Sequence, residues 1–388
     1  MTKHDTTMDN SAQTPKATAI VDLAEMQRAS KLMSDVADKW CTVPALNYVL
    51  MTFADGTLTM RATDLDIDAE TTVEADCSGN AVVTINYRTL RSFVSAISGP
   101  VMIEVYAGGS NDPSDQITLA EGDLKLRLRS VIPADDFPPR QPFPDTASHW
   151  TMSQDSLMRL VNTCWHCIST EETRYYLNGI YLHVENGNLR AVATDGHRLA
   201  CVDSSEKPTL DEGMILPTPL LKLLRSLMKK AGNEPVMIKA APNAHKIEVL
   251  LSGVSIRAKT IDDTYPDYRR VIPSGPFGIR STLNRTQILR LAKTASGLTK
   301  NNPGAEIDPR KGRLSVKAFD GDAVSVPIKV ETEIEGQLMP FGFNLGYLRK
   351  QAEATPVFTL HGTDRGSPFI LRGEDPTTLF VLMPMRID

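Results

Sequence analysis

Cysteine is scarce: five in 388 residues, Cys41, Cys77, Cys164, Cys167 and Cys201, an odd number at irregular spacing. No disulfide framework is written there, and the pattern suits a reducing cytoplasm. No apolar run approaches the roughly 18–20 residues that a membrane span needs. Residues 1–17 are polar and lack an apolar stretch, so they read as a disordered tail and not as a signal peptide. A Walker A sequence, a G-x-G-x-x-G turn and a G-x-S-x-G nucleophile motif are all missing, and neither catalytic residues nor a cofactor are expected. Cys164-Trp165-His166-Cys167 has no second Cys/His pair with which to hold zinc. It also falls late in a predicted helix, away from the end where a dipole activates a thiol, so it reads as core. Asp64-Leu65-Asp66-Ile67-Asp68 lacks the glycine and closing glutamate of a calcium loop and reads as alternating acids on one strand face. No metal is expected.

What the chain does have is repetition. The pattern G-x-L-x-x-x-A-x-D runs from Gly56 to Asp64, from Gly187 to Asp195 and from Gly312 to Asp320, with starts 131 and 125 residues apart. A unit that long is a whole domain, not a solenoid repeat. Helical patterns begin near Asp22, Ser153 and Asn284, and a second set near Asn86, Pro217 and Asn344, so each third carries two helices. Leu157, Leu160, Val161 and Cys164 fall at i, i+3, i+4, i+7, as do Leu220, Leu223, Leu224 and Leu227, the latter with Gly232 as a stop. Between the helices lie β-branched, apolar runs such as Ile180–Val184 and Lys246–Leu251. The fold class is α+β, three similar domains with paired helices packed on antiparallel sheets: 18–147, 148–274 and 275–388 after the tail.

Charge is unevenly spread. The chain nets −5, yet the segments around its six helices sum to +10 and the remainder to −15. Lys222, Arg225, Lys229 and Lys230 occupy one helical segment, and Arg285, Arg290, Lys293 and Lys300 another, with no acid in either. Cationic helices on an acidic protein suggest a surface facing a polyanion.

Several motifs match one family. Arg174-Tyr175-Tyr176-Leu177-Asn178-Gly179 followed by Val192-Ala193-Thr194-Asp195-Gly196-His197-Arg198-Leu199 resembles the central-domain signature of the bacterial DNA polymerase III beta subunits, the sliding clamps. Tyr265-Pro266-Asp267-Tyr268-Arg269-Arg270-Val271-Ile272-Pro273 resembles that family's junction between second and third domains. Phe341-Gly342-Phe343-Asn344 and Val381-Leu382-Met383-Pro384-Met385-Arg386 resemble its last helix start and its tail. The likeness runs from about residue 19 to the end.

The resemblance implies a DNA-clamp fold whose homodimer closes head to tail into a ring, with helices lining the hole around double-stranded DNA. It implies a non-catalytic processivity role, contacts to phosphate without base reading, and partners comprising the DNA polymerase III alpha subunit, the clamp loader, and other polymerases and repair proteins. Such partners dock a short peptide in a groove, which maps here onto Leu177, Thr194, Gly196, His197, Arg198, Leu199, Pro266, Arg270, Val271, Ser367, Val381, Leu382, Met383, Pro384, Met385 and Arg386. The DNA face is assigned Lys222, Arg225, Lys229, Lys230, Arg285, Arg290 and Lys293, with Arg174, Tyr175 and Tyr176 of the signature. Two departures stand out: Trp40 with Lys39 where relatives often place an arginine on DNA, and a basic strand Leu124–Val131 at the expected dimer edge, facing small residues around Thr294 and Ala295. The other reading is a secondary or resistance-type paralogue with altered dimerisation.

Overall fold

A computed structural model describes residues 14–37, 42–109, 114–229, 232–297, 303–317, 323–332 and 340–386. Lys39, Trp40, Lys230, Lys300, the Ala318-Phe319-Asp320 end of the third repeat and most of the polar tail lie outside them.

Among the described residues six α-helices form where the sequence places their starts: α1 Leu23–Val36, α2 Tyr87–Ala96, α3 Gln154–Trp165, α4 Thr218–Leu227, α5 Arg285–Ala295 and α6 Leu345–Ala354. Asp22, Asn86, Ser153, Asn284 and Asn344 each cap one with a side-chain oxygen that accepts a first-turn backbone N–H. Pro217 precedes α4, whose entry is set by Pro219 instead of a side-chain cap. That helix ends at Leu227, short of the stop read at Gly232. The Gly232 carbonyl instead accepts the Asp155 N–H at the start of α3 (3.0 Å).

The chain divides into two compact units, 1–147 with 235–259, and 148–234 with 260–388. In the first, Ala75–Gly79, Ala17–Val21, Val101–Tyr106, Gln116–Glu121 and Leu124–Arg129 form an antiparallel sheet with the basic strand at its edge. A second antiparallel ladder runs Pro235–Ala241, Lys246–Leu251, Val254–Lys259, Ile67–Val73, Thr57–Thr63, Tyr48–Ala54, Ala81–Asn86. Asp64 and Asp66 do not share a strand face with Asp68, because Asp64 Oδ1 accepts the Asp66 and Ile67 N–H groups and folds the stretch into a turn. Only Asp68 lies on the strand, paired with Arg61 and Arg140.

In the second unit nine antiparallel strands run Met214–Pro217, Gly179–Glu185, Asn188–Thr194, Arg198–Asp203, Thr378–Leu382, Phe369–Arg372, Val357–Gly362, Ile279–Asn284, Lys329–Thr332. A four-stranded sheet adds Ala323–Pro327, Arg313–Lys317, Gly304–Asp308 and Phe341–Asn344. The repeat motif spans equivalent hairpins in both units. Asp55-Gly56 and Asn186-Gly187 turn them with both residues at positive φ, a conformation that suits the right-handed twist of two-residue hairpins. α1 packs on the first hairpin and α2, and α3 on the second and α4. The buried stripe of α3 is Leu157, Leu160, Val161 and Cys164. Each such leucine removed from water contributes about 1.5–3 kcal/mol.

Candidate functional site

The groove residues come from separate stretches of the second unit. Arg198–Asp203 pairs with Thr378–Leu382, so Arg198 stands opposite Leu382 and Leu199 opposite Val381. Leu177, Leu199 and Val381 are buried in one cluster with Val192, Cys201, Ile215, Tyr265 and Tyr268, and Leu382 is buried too. These four are floor. Pro266, Arg270, Val271, Met383, Met385 and Arg386 are exposed, and Pro384 is half-buried. Past the strand the chain remains tied: the Met383 N–H donates to the His197 carbonyl (2.9 Å) and the Met385 N–H to that of Gly342 (2.8 Å). Val271, Met383 and Met385 offer apolar surface, and methionine adapts to varied ligands.

The turn Thr194–Arg198 is held by its own side chains. Asp195 Oδ1 accepts the N–H groups of His197 (3.0 Å) and Arg198 (3.1 Å), while the Thr194 hydroxyl donates to the Arg198 carbonyl (2.7 Å). Gly196 sits at φ +87°, where a Cβ would also meet Arg174 Nη1 at 3.0 Å. Arg174, assigned from sequence to the DNA face, therefore lies beside this turn. Arg198 Nε donates to Asp195 Oδ2 (2.9 Å), and its guanidinium lies 4.2 Å from the Tyr347 ring centroid. That arrangement leaves Arg198 Nη1 buried and without a hydrogen-bond partner. Tyr347, which also stacks with His197, was not picked out from the sequence. Its one signal was Asn344, whose Oδ1 caps the Tyr347 N–H (3.2 Å).

The segment Tyr265–Val271 is anchored by aromatics. Tyr265 stacks on Tyr181 (4.8 Å, 4°), and the Tyr268 hydroxyl bonds His183 Nε2 (3.1 Å) and accepts from Arg190 Nη1 (3.3 Å). Burial pushes both tyrosine hydroxyls above their ordinary pKa. Tying these two rings down leaves Pro266, Arg270 and Val271 facing outward. Ser367 is fixed by Asp364, which accepts its hydroxyl (2.7 Å) and its N–H (2.8 Å).

Lys222, Lys229, Arg285, Arg290 and Lys293 are exposed, and neither they nor Arg225 make an ion pair among the described residues. Lys222, Arg225 and Lys229 line an open cleft where α4 meets α3 at Met158 and Asn162. Tyr175 is exposed and bonded to Asp263, whereas Tyr176 packs against the Leu177 cluster. The Cys164, Cys167 and Cys201 thiols are buried, which raises them all, Cys201 to about 12, so each is a protonated packing group.

Known proteins share this architecture along its length. Residues 23–141 match the DNA polymerase III beta subunit N-terminal domain, and 151–267 its central domain. The chain belongs to the bacterial DNA polymerase III beta subunit family. Members are sliding clamps, non-catalytic processivity factors of DNA replication, and this chain is one of them. It is 29% identical to the beta sliding clamp of Caulobacter vibrioides over 378 residues, 95% of this chain and 99% of that one. The clamp of Pseudomonas aeruginosa is 27% identical over 372 residues, 92% of this chain and 96% of the relative. A crystal structure of the Caulobacter crescentus clamp with polyethylene glycol bound superposes with a TM-score of 0.85 at 27% identity, over 96% of this chain and 99% of the other. The Bartonella birtlesii clamp bound to griselimycin gives the same score and identity, over 95% and 99%. No helix among the described residues is long and apolar enough to cross a membrane.

Proposed function

We propose that two copies of this chain close head to tail into a ring around duplex DNA in the cytoplasm and tether the replicative DNA polymerase for processive synthesis. The three repeats, 18–147, 148–274 and 275–388, are then three copies of one clamp domain. The observation that carries the reading is the cationic face of α4 and α5 with Lys229 just past α4, six side chains without acidic partners among the described residues on a chain of net charge −5. Such a face binds phosphates without reading bases and releases counterions as it does so, which allows sliding. Closure of the ring, not affinity, keeps it on the template.

The groove takes short peptides from the DNA polymerase III alpha subunit, the clamp loader, and other polymerases and repair proteins. Support comes from the exposed apolar surface of Val271, Met383 and Met385. Burying a few apolar side chains at about 25 cal/mol per Å2, less the ordering cost, leaves affinity on the order of micromolar.

Two measurements test this. Protein loaded on nicked circular DNA should stay bound and escape once the circle is cut; retention on linear DNA with free ends contradicts topological closure. Removal of Met383 to Asp388 should abolish binding of a Gln-Leu-type clamp peptide and leave a particle near twice 42.6 kDa. Undiminished peptide binding by the truncated chain puts the groove elsewhere. A monomer at every concentration, even at low salt, points to the secondary or resistance-type paralogue.

A further inference from the structure

Arg225 stands apart from the other helix cations. Its neighbours Lys222 on α4 and Lys229 just past its end have no acidic partner among the described residues, whereas the Arg225 guanidinium is held twice by α3. Its Nε donates to Asn162 Oδ1 at 2.9 Å, and its Cζ lies over the Trp165 ring, 4.3 Å from the centroid. Trp165 sits at the last turn of α3, and Asn162 one turn earlier on the same face. The guanidinium thus has its Nε bonded and an aromatic ring against it, and Arg225 lines the cleft it shares with Lys222 and Lys229.

We infer that this cleft is a built phosphodiester site, in which Arg225 makes a two-pronged contact to one backbone phosphate and Trp165 and Asn162 are its positioning residues. The inference rests on the DNA-encircling reading and deepens it. A planar fork matches two phosphate oxygens, and stacking on an aromatic ring fixes the plane of that fork before the ligand arrives. A free arginine must give up rotamer freedom to bind; one already clamped gives up less. Lys222 and Lys229 flank it as mobile point charges that follow the phosphate as the duplex moves. Trp165 thereby gains a role separate from the thiols on either side of it, which are packed inward. The ligand is a phosphate within a nucleic-acid backbone, and free inorganic phosphate offers the same oxygens without neighbouring phosphates for the lysines.

The test uses the full chain and a fluorescent duplex, with affinity measured by anisotropy across a salt series. R225A should lower the slope of log affinity against log salt by about one. W165L should weaken binding about threefold with Arg225 present and have no effect in the R225A background, while W165F restores most of the loss. Inorganic phosphate at matched ionic strength should not compete. The inference is overturned if W165L costs the same with and without Arg225, if R225K binds as well as the parent, or if free phosphate displaces the duplex. Should K222A, K229A and R225A all leave affinity and slope untouched, the DNA-facing reading of α4 itself fails. Loss with the two lysine variants alone sinks only the phosphate fork.

Discussion

His166 closes α3 with its ring 5.6 Å from Phe380, so one imidazole touches both the middle helix and the last strand. Burial first, and then the charge of Arg198, lower its pKa to about 4, against a small opposing hydrogen bond from Gln351. The unfolded chain would take up its proton near 6.5, so between these values the unfolded state binds more protons. Stability from this group is complete above about pH 6.5 and drains away as pH falls towards 4. The expected loss is on the order of 2 kcal/mol, read from denaturant midpoints at neutral and mildly acidic pH. In H166Q that difference should shrink; an unchanged pH dependence would assign it to other groups. Asp375 acts in a lower window. Burial alone would raise it, but hydrogen bonds from Arg159 and Thr377 outweigh that and hold it below the usual carboxylate range, so its contribution fades only in stronger acid.

At the scale of elements, caps decide where helices start. Asn284 Oδ1 accepts the Thr286 N–H at 2.8 Å, and N284A should cost about 1 kcal/mol, checked by thermal melting. A loss below a few tenths would mean that water replaces the cap. Such signals are local, and that is why all six helix starts and the stripe of α3 were legible in the sequence. Strand partners were not. Val254–Lys259 meets Ile67–Val73 across nearly the whole first half of the chain, and Arg198–Asp203 meets Thr378–Leu382 at similar range, with no residue type that announces the pairing. The site divides the same way. The Thr194–Arg198 turn was readable from its motif, whereas the rings beneath the two arginines, Tyr347 under Arg198 and Trp165 under Arg225, arrive from other helices. α4 stops early because Met228 leaves helical geometry (φ −100°, ψ 35°), a backbone event that no apolar period encodes.

At the scale of the molecule, the continuous nine-stranded sheet joins the stretch before residue 260 to the stretch after it through backbone ladders as well as through the chain. Five residue pairs link Arg198–Val202 to Thr378–Leu382, and Arg159 adds bonds to the Asp203 carbonyl (2.9 Å) and the Asp375 carboxylate (2.6 Å). A protease nick after the exposed Arg270 should therefore leave the two fragments of one polypeptide travelling together on a sizing column, and part only in denaturant. Separation in plain buffer would show that the covalent thread alone holds them. A joint that survives cutting is a seam and not a hinge: stress on a docked peptide is shared along several parallel strands instead of being concentrated at a single swivel point.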